Sequence, residues 1–215
     1  MTYLDIVNNI LKRLRERTVS TVNESSYSSL IAVLVNDAKE TVENAFQWSG
    51  LRTTLTATTT NGTFNYELNG SLNAVTVLDV INVTDNFFLK PKGSHEFNKL
   101  FLSNNVGTGS PYYYSFNGIS TDGDTKVDLY PIPDTEYTIR FNCVLRTADL
   151  VNDADTITIP TKPIELLAHA LAVEERGEDG GMTSVSAYAR ATTALQDAVA
   201  LDSNKHSEEL VWYES

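Results

Sequence analysis

Two pairs of closely spaced aspartates are the residues whose types and spacing could support chemistry. Asp122 and Asp124, and Asp153 and Asp155, could bind a hard cation or act as the carboxylate pair of a hydrolase, since both tasks need neighbouring carboxylates. Both pairs lie in turn-like sequence, where aspartate side chains commonly bond the local backbone. The segment around Asp122 also lacks the remaining oxygen ligands of a calcium loop. We therefore interpret both pairs as turn residues.

The three histidines and the single cysteine form no recognisable reactive centre. His95, His169 and His206 are scattered, and none stands at a metal-site spacing from another His, Asp or Glu. Cys143 is the only cysteine, which excludes an intrachain disulfide and a thiolate cluster. The sequence also lacks a nucleophile elbow, a phosphate-binding Gly-Lys loop and a dinucleotide-binding glycine motif. We expect no catalytic residue, no metal and no cofactor, and hence no enzyme.

An aromatic run could stack against sugars or bases. Tyr112, Tyr113 and Tyr114 are followed by Phe116. In a strand, alternation would put Tyr112 and Tyr114 on one face and Tyr113 on the other. One face is expected to lie in the core, which leaves a small exposed aromatic patch. A glycan- or receptor-binding module is therefore kept as an alternative function.

The charge balance argues against a surface that grips nucleic acid. The chain has 215 residues, with 16 Lys and Arg against 28 Asp and Glu, for a formal net charge of −12. Binding to phosphates depends on many basic contacts, which this composition lacks. The charge remains compatible with an acidic surface that faces DNA without binding it. The N-terminal pattern is amphipathic and unlike a signal peptide, and no stretch approaches the roughly 20 apolar residues of a membrane span.

Helical periodicity marks the start of the chain. Thr2 followed by Asp5 predicts a capped first helix. A second helix is expected to begin near Ser25 or Ser26 and to stop at Gly50.

Helical periodicity returns at the end of the chain. Pro163 fits the first turn of a third long helix that Gly177 would end. Thr183 or Ser184 would open the last helix. Its apolar face is predicted to consist of Val185, Tyr188, Ala189, Thr192, Leu195, Ala198 and Val199.

The centre of the chain has the alternation of β-strands. Asn61-Gly62 predicts a tight hairpin between 52–60 and 64–68. A short helix capped by Ser94 is expected at 94–102. Further strands, separated by turn residues, are expected at 74–83, 86–90, 112–116, 126–130 and 137–145.

The order of these elements predicts an α+β fold. The N- and C-terminal segments would form a four-helix bundle, and the centre an inserted antiparallel β-sheet or sandwich. Residues 1–50 and 160–203 are assigned to the bundle and 51–159 to the insert. Residues 204–215 are assigned to a C-terminal docking tail.

Two segments outside the regular elements are candidate contacts. In the tail, an apolar cluster after polar sequence must fold back onto the bundle or dock onto a neighbour. It consists of Leu210, Val211, Trp212 and Tyr213. A Gly- and Asn-rich loop is expected at 104–110.

Several short motifs occur in a characteristic order. In chain order they are Ala45-Phe46-Gln47-Trp48, Leu129-Tyr130-Pro131-Ile132-Pro133, Tyr137-Thr138-Ile139-Arg140-Phe141, Asp153-Ala154-Asp155-Thr156-Ile157, Ile159-Pro160 and Ile164-Glu165-Leu166-Leu167-Ala168-His169-Ala170-Leu171-Ala172, with Tyr188 in the final helix. This series resembles the tail tubular protein A family, the head-to-tail adaptors of short-tailed bacteriophages. The resemblance runs over most of the chain.

The resemblance implies a virion structural protein without catalysis. Such a protein forms a twelve-fold homo-oligomeric ring between the portal and the tail nozzle, a tail tubular protein B-like protein. DNA would pass through the ring on ejection without sequence-specific binding, and no membrane would be involved. The protein would be made in the host cytoplasm and reside at the head-tail interface of the virion.

The resemblance also suggests where partners bind. The candidate portal-binding residues are Leu210, Val211, Trp212 and Tyr213. The candidate contact with the nozzle or with a neighbouring subunit consists of Asn104, Asn105, Val106 and Gly107.

Overall fold

The computed structural model describes residues 1–71, 75–102, 106–177 and 182–205. These residues contain five α-helices, one 3₁₀ turn and eight β-strands, which confirms the α+β class. In chain order they are α1 (Tyr3–Arg13), α2 (Ser26–Ala45), the 3₁₀ turn (Ser49–Leu51), β1 (Arg52–Thr58), β2 (Asn65–Leu68), β3 (Val75–Asn82), β4 (Phe87–Phe88), β5 (Lys90–Pro91), α3 (Ser94–Phe101), β6 (Tyr113–Ile119), β7 (Thr125–Tyr130), β8 (Thr138–Leu145), α4 (Thr161–Arg176) and α5 (Met182–Ser203).

The chain divides into two compact units, which we call the helical unit and the insert. The insert is Arg52–Arg146, and the helical unit combines Met1–Leu51 with the described residues from Thr147 onward. Residues 147–159, which the sequence pattern assigned to the insert, therefore pack with the helices.

Polar side chains of α2 hold this returning segment. The Leu150 N–H donates to Asn36 Oδ1 at 3.0 Å. Lys39 Nζ donates to the carbonyls of Thr147 and Ala148 at 2.9 and 3.0 Å. Because backbone groups in buried segments need hydrogen-bond partners, these side chains decide which unit the segment joins.

Local capping sets the start of α1 and the end of α4. Thr2 Oγ1 accepts the Asp5 N–H at 3.2 Å, and the Asp5 carboxylate accepts the Thr2 N–H at 3.0 Å. This is the predicted capping box, and the hydrogen bonds to Thr2 lower the pKa of Asp5. Gly177 ends α4 with a φ of 60°, in the left-handed region that glycine adopts without strain.

The second helix ends earlier than predicted. It stops at Ala45, and Phe46 has an extended backbone. The Trp48 indole folds back so that Nε1 donates to the Val42 carbonyl at 2.7 Å. A side chain thus satisfies one of the carbonyls that every helix end leaves open, and the expected stop at Gly50 is not needed.

Gly50 is required for a different reason, the close approach of two backbones. A Cβ at this position would lie 2.4 Å from the Thr158 carbonyl oxygen. Gly50→Ala is therefore expected to lower the free energy of unfolding by about 1–3 kcal/mol, the usual cost of overpacking. Urea denaturation measures it. The exposed neighbour Gln47→Ala should change stability by less than about 0.5 kcal/mol, and equal effects of the two substitutions would contradict the explanation.

Three helices surround the core of the helical unit. α1 contacts α2 and α4, and α2 contacts α4, whereas α5 packs chiefly on α4. The buried large side chains include Tyr3, Ile6, Val7, Ile10, Leu11, Ile31, Val35, Val42, Trp48 and Ile164. These contacts do not show a closed four-helix bundle.

The apolar face predicted for α5 agrees with the structure only in part. Val185 is 69% exposed, and Ala189 and Thr192 are also exposed, so the predicted face is wrong at these positions. Ala198 is buried as predicted, and Tyr188, Leu195 and Val199 are half-buried. The buried residues are Ser184, Ala187, Ala191, Ala198 and Asp202.

The insert is a sandwich of two four-stranded sheets. One sheet has the order β1-β8-β3-β4 and is antiparallel, and the other has the order β2-β7-β6-β5, with a parallel pair between β5 and β6. Both sheets contribute to one core, as expected when two sheets pack face to face. Its members include Ala57, Leu68, Val80, Tyr114, Val127, Leu129, Ile139 and Phe141.

The Asn61-Gly62 turn does not form the predicted hairpin. Gly62 has a φ of 78°, and its N–H donates to the Pro133 carbonyl at 2.8 Å. However, β1 pairs with β8 and β2 pairs with β7, so the turn connects the two sheets. The arrangement lets Ala57 and Leu68 enter the common core from opposite sheets.

The predicted cap of α3 at Ser94 is also wrong. The helix begins at Ser94, and Gly93 occupies the cap position before it.

Candidate functional site

Asp153 and Asp155, considered as a reactive pair, both accept hydrogen bonds from backbone N–H groups. Asp155 Oδ2 accepts the N–H groups of Val151 and Asn152, both at 2.8 Å. Asp153 Oδ1 accepts the Val22 N–H at 2.8 Å. The hydrogen bond from Asn152, followed by that from Val151, lowers the pKa of Asp155. Asp155 thus shapes its own turn, as predicted, whereas Asp153 ties this segment to the distant Val22 between α1 and α2.

Asp122 and Asp124 lie in the turn between β6 and β7. The Asp124 N–H donates to Ser120 Oγ at 3.1 Å, and the Ser120 N–H donates to the Asp124 carbonyl at 2.7 Å. Within the described part of the chain, no cluster of three or more His, Cys, Asp or Glu side chains could hold a metal ion. The bonds agree with the reading of this pair as turn residues.

Two of the isolated side chains, His169 and Cys143, are packed into the fold. Burial, followed by the charges of Arg13 and Arg190, lowers the pKa of His169 on α4. Burial also raises the pKa of the Cys143 thiol on β8. Both shifts favour the uncharged form, as expected for packed side chains. His95 is exposed at the start of α3, and His206 lies outside the described residues.

Half of the predicted nozzle or subunit contact can be located. Asn104 and Asn105 lie outside the described residues. Val106 and Gly107 are half-buried. The Gly107 N–H donates to Tyr130 Oη at 3.2 Å, and its carbonyl accepts the Ile132 N–H at 3.0 Å. The segment at Gly107 is thus fixed to the end of β7.

Aromatic rings pack together at the end of α3. The Phe101 ring centroid lies 4.8 Å from that of Phe64 and 5.5 Å from those of Phe97 and Tyr130. Leu102, directly before the loop, is 81% exposed. Sequence reasoning missed this cluster, although Phe97 and Phe101 have the four-residue spacing that places side chains together on a helix.

A second aromatic group lies beside β5, the outer strand of the sheet with the order β2-β7-β6-β5. We call it the lysine–tyrosine patch, and it consists of Phe87, Lys90, Lys92, Tyr112 and Tyr113. The Tyr112 ring centroid lies 5.6 Å from that of Phe87 and 5.0 Å from that of Tyr113. Lys90 Nζ lies 5.3 Å from the Tyr112 centroid, and Lys92 Nζ lies 4.5 Å from the Tyr113 centroid.

The patch corrects the predicted alternation of the tyrosines. Tyr114 is buried in the core of the insert, but Tyr112 is 36% exposed and contacts Tyr113. β6 begins at Tyr113, so Tyr112 precedes the strand and does not follow its alternation.

The predicted portal-binding residues lie outside the described residues: Leu210, Val211, Trp212 and Tyr213. The end of α5 that precedes them is anchored. The Asp202 carboxylate accepts the Ser49 N–H at 2.7 Å and the Ser49 hydroxyl at 2.6 Å. Burial raises the pKa of Asp202, but hydrogen bonds from Ser49 and Lys205 outweigh burial and lower it to about 2.

Exposed large apolar side chains are concentrated in the insert. It carries eight of the thirteen found in the described residues. Exposed aromatic and aliphatic groups of this kind commonly mark protein-binding surfaces. The eight are Phe64, Leu78, Val83, Phe88, Leu102, Tyr112, Phe116 and Ile119.

Comparison with known protein families identifies a match over most of the chain. A family model described as SU10 adaptor protein matches residues 1–210. A search of curated proteins gives no match. None of the described helices is long and apolar enough to cross a membrane.

Proposed function

Because the chain belongs to the SU10 adaptor protein family, we propose that it is the head-to-tail adaptor that joins a phage portal to the tail nozzle. The observation that carries this proposal is the family match, which extends over residues 1–210. In the proposed assembly, twelve copies form a ring that is part of the DNA ejection channel. The protein acts by binding and not by catalysis.

The family membership itself establishes a coarser role. As a phage adaptor, the protein is a virion component that interacts with other head and tail proteins. The match supports the adaptor interpretation of the sequence motifs, although its description differs from the tail tubular protein A family that those motifs resemble.

The proposed partner contacts lie on different units. We assign portal binding to the tail residues Leu210, Val211, Trp212 and Tyr213. These residues follow α5, which we propose as the fourth helix of a bundle. We assign nozzle or subunit binding to the insert at 104–107. Leu102 precedes this segment in the chain and is exposed, and the neighbouring Phe101 packs in a cluster of aromatic rings. Both observations support this choice, because apolar anchors on a rigid base dominate protein interfaces.

The charge of the chain fits a conduit for DNA. A formal net charge of −12 per copy would give a twelve-copy ring a strongly negative field. Such a field repels phosphates at short range, so DNA would slide through the lumen without being held.

The alternative function, glycan or receptor binding, would use the exposed tyrosines. Sugars bind proteins by stacking on an aromatic face, and Tyr112 is partly exposed. However, Lys90 and Lys92 lie over the rings of Tyr112 and Tyr113, which covers one face of each. The patch therefore favours contact through charged groups over stacking. A glycan array with clear hits would revive the alternative.

The tail assignment predicts a loss of portal binding. Replacing Leu210, Val211, Trp212 and Tyr213 together by serine is expected to weaken binding to the cognate portal ring at least a hundredfold, because central apolar anchors carry most of the energy of an interface. Deletion of residues 207–215 should have the same effect. Biolayer interferometry on immobilised portal measures both variants.

The control for this prediction is the fold of the free chain. The anchored end of α5 at Asp202 precedes every changed residue, so the thermal midpoint should stay within a few degrees of the wild-type value. A serine variant of Val185, which is 69% exposed on α5, should bind the portal normally. Unchanged binding of the tail variants would refute the docking role of the tail.

A further inference from the structure

The geometry points to the lysine–tyrosine patch as the surface that binds carboxylates of a second copy of this chain in the assembled ring. This inference rests on the proposed function, because it names the partner of a surface within that ring. Three observations carry it: the positions of the two ammonium groups, the blocked backbone edge beneath them, and the acidic charge of the chain.

The ammonium groups are held in place by aromatic rings. Lys90 Nζ and Lys92 Nζ lie 5.3 and 4.5 Å from the centroids of Tyr112 and Tyr113, within the range of cation–π attraction. The two rings meet edge to face at 88°. Two flexible side chains are thereby ordered before a partner arrives, which reduces the entropy lost on binding.

The backbone at this edge cannot accept another strand in the usual way. The Lys90 N–H donates to the Tyr112 carbonyl, and the Lys92 N–H to the Tyr114 carbonyl, both at 2.9 Å. Pro91 between them has no N–H. The segment therefore offers a partner strand no backbone N–H, which favours binding through side chains.

The two ammonium groups differ in their partners from four of the eight lysines of the chain. Lys39, Lys126, Lys162 and Lys205 each form an ion pair with a carboxylate of the same chain. Within the described part of the chain, Lys90 and Lys92 form none, and their charges remain available. Interaction with Tyr112 raises the pKa of Lys90, which keeps it protonated.

Charge complementarity identifies the partner. Each copy carries a formal net charge of −12, so neighbouring copies in a ring repel one another unless positive groups face the negative surface next to them. Two fixed ammonium groups among tyrosines meet this need. DNA is a weaker candidate, because phosphate binding depends on a longer series of basic contacts.

Isotope-mixed cross-linking tests the inference directly. Equal amounts of ¹⁴N- and ¹⁵N-labelled chain are assembled on the portal ring and treated with a zero-length carbodiimide, which joins amines to carboxylates in contact. Mass spectrometry should show mixed-isotope peptides that link Lys90 or Lys92 to Asp or Glu of another copy. The same treatment of the concentrated free chain provides an arm without the portal.

A charge reversal gives a second readout. Lys90→Glu with Lys92→Glu should lower the number of copies per portal and raise the concentration for half-assembly at least tenfold. The control Lys12→Glu with Arg17→Glu makes the same change of charge at exposed positions of the helical unit and should assemble like the wild type. Thermal unfolding checks that both variants fold.

The outcomes separate the inference from the proposed function. Two results would overturn the inference alone, provided that the wild type forms complete rings. One is the absence of mixed-isotope links at Lys90 or Lys92, and the other is normal assembly of the double variant. Links only to the portal, or a shift of the double variant in DNA binding but not in assembly, would also overturn it. Absence of wild-type rings would overturn the proposed function, and the free-chain links would then decide the inference.

Discussion

Trp48→Ala is expected to lower the free energy of unfolding by about 3–5 kcal/mol, the range for removing a large buried aromatic side chain. The indole is fully buried, its Nε1 donates to the Val42 carbonyl at 2.7 Å, and its ring packs edge to face on Phe46 at 5.3 Å. The substitution leaves both a cavity and an unsatisfied carbonyl at the end of α2, and both effects destabilise the folded state.

Urea denaturation followed by circular dichroism measures this change. Trp48→Phe should fall between the wild type and Trp48→Ala, because it retains a ring but loses the hydrogen bond. Val33→Ala serves as the control, since Val33 is 56% exposed on α2, and should cost less than about 0.5 kcal/mol. A loss below about 1 kcal/mol for Trp48→Ala would show that the side chain is not part of the core.

Lys39→Met is expected to cost a similar amount, about 3–5 kcal/mol, because it leaves a buried carboxylate without its cation. Lys39 and Glu43 are 2% and 4% exposed, and Lys39 Nζ lies 3.3 Å from Glu43 Oε1. The same ammonium group also binds the carbonyls of Thr147 and Ala148. Methionine preserves the length of the side chain but none of these bonds.

A double-mutant cycle separates the ion pair from the packing. Lys39→Met with Glu43→Leu should be at least about 1 kcal/mol less destabilising than the sum of the single variants, because the orphaned charge is removed. Lys162→Met is the matched control, since its side chain is 59% exposed and its partner Glu165 keeps an ion pair with Arg13. It should cost at most about 1 kcal/mol. Additive single effects, or equal losses at both lysines, would contradict a buried pair.

Local signals in the sequence predicted three of the helix boundaries: the caps at Thr2 and Ser25 and the end of α4 at Gly177. Thr2 with Asp5, Ser25 and Gly177 act through bonds or backbone angles within a few residues, so their effect is visible without the fold. The end of α2 was mispredicted because its cap comes from the Trp48 indole and not from the residue type that usually follows a helix.

Pairings between distant segments could not be predicted in the same way. Asn61-Gly62 specifies a turn but not the partner of each strand, and burial of Ala57 and Leu68 between two sheets decided that β1 and β2 separate. The buried face of α5 was predicted at Ala198 but missed at Ala187 and Ala191, because alanines are a weak signal for the buried side of a helix.

The candidate surfaces were predicted only in part. The loop at 104–107 was identified from its glycine and asparagine content, but the exposed Leu102 and the rings beside it depend on how α3 packs. The lysine–tyrosine patch depends on β5 pairing with β6, which brings Lys90 next to Tyr112. No spacing in the sequence indicates a parallel pair so short.

The mass and image symmetry of the chain mixed with the portal ring of the same genome test the adaptor function most directly. Native mass spectrometry should give twelve copies per portal, and electron-microscopy class averages should show them as one additional layer on a single face of the portal. A folded chain that remains unbound at concentrations well above those in an infected cell would contradict the adaptor function.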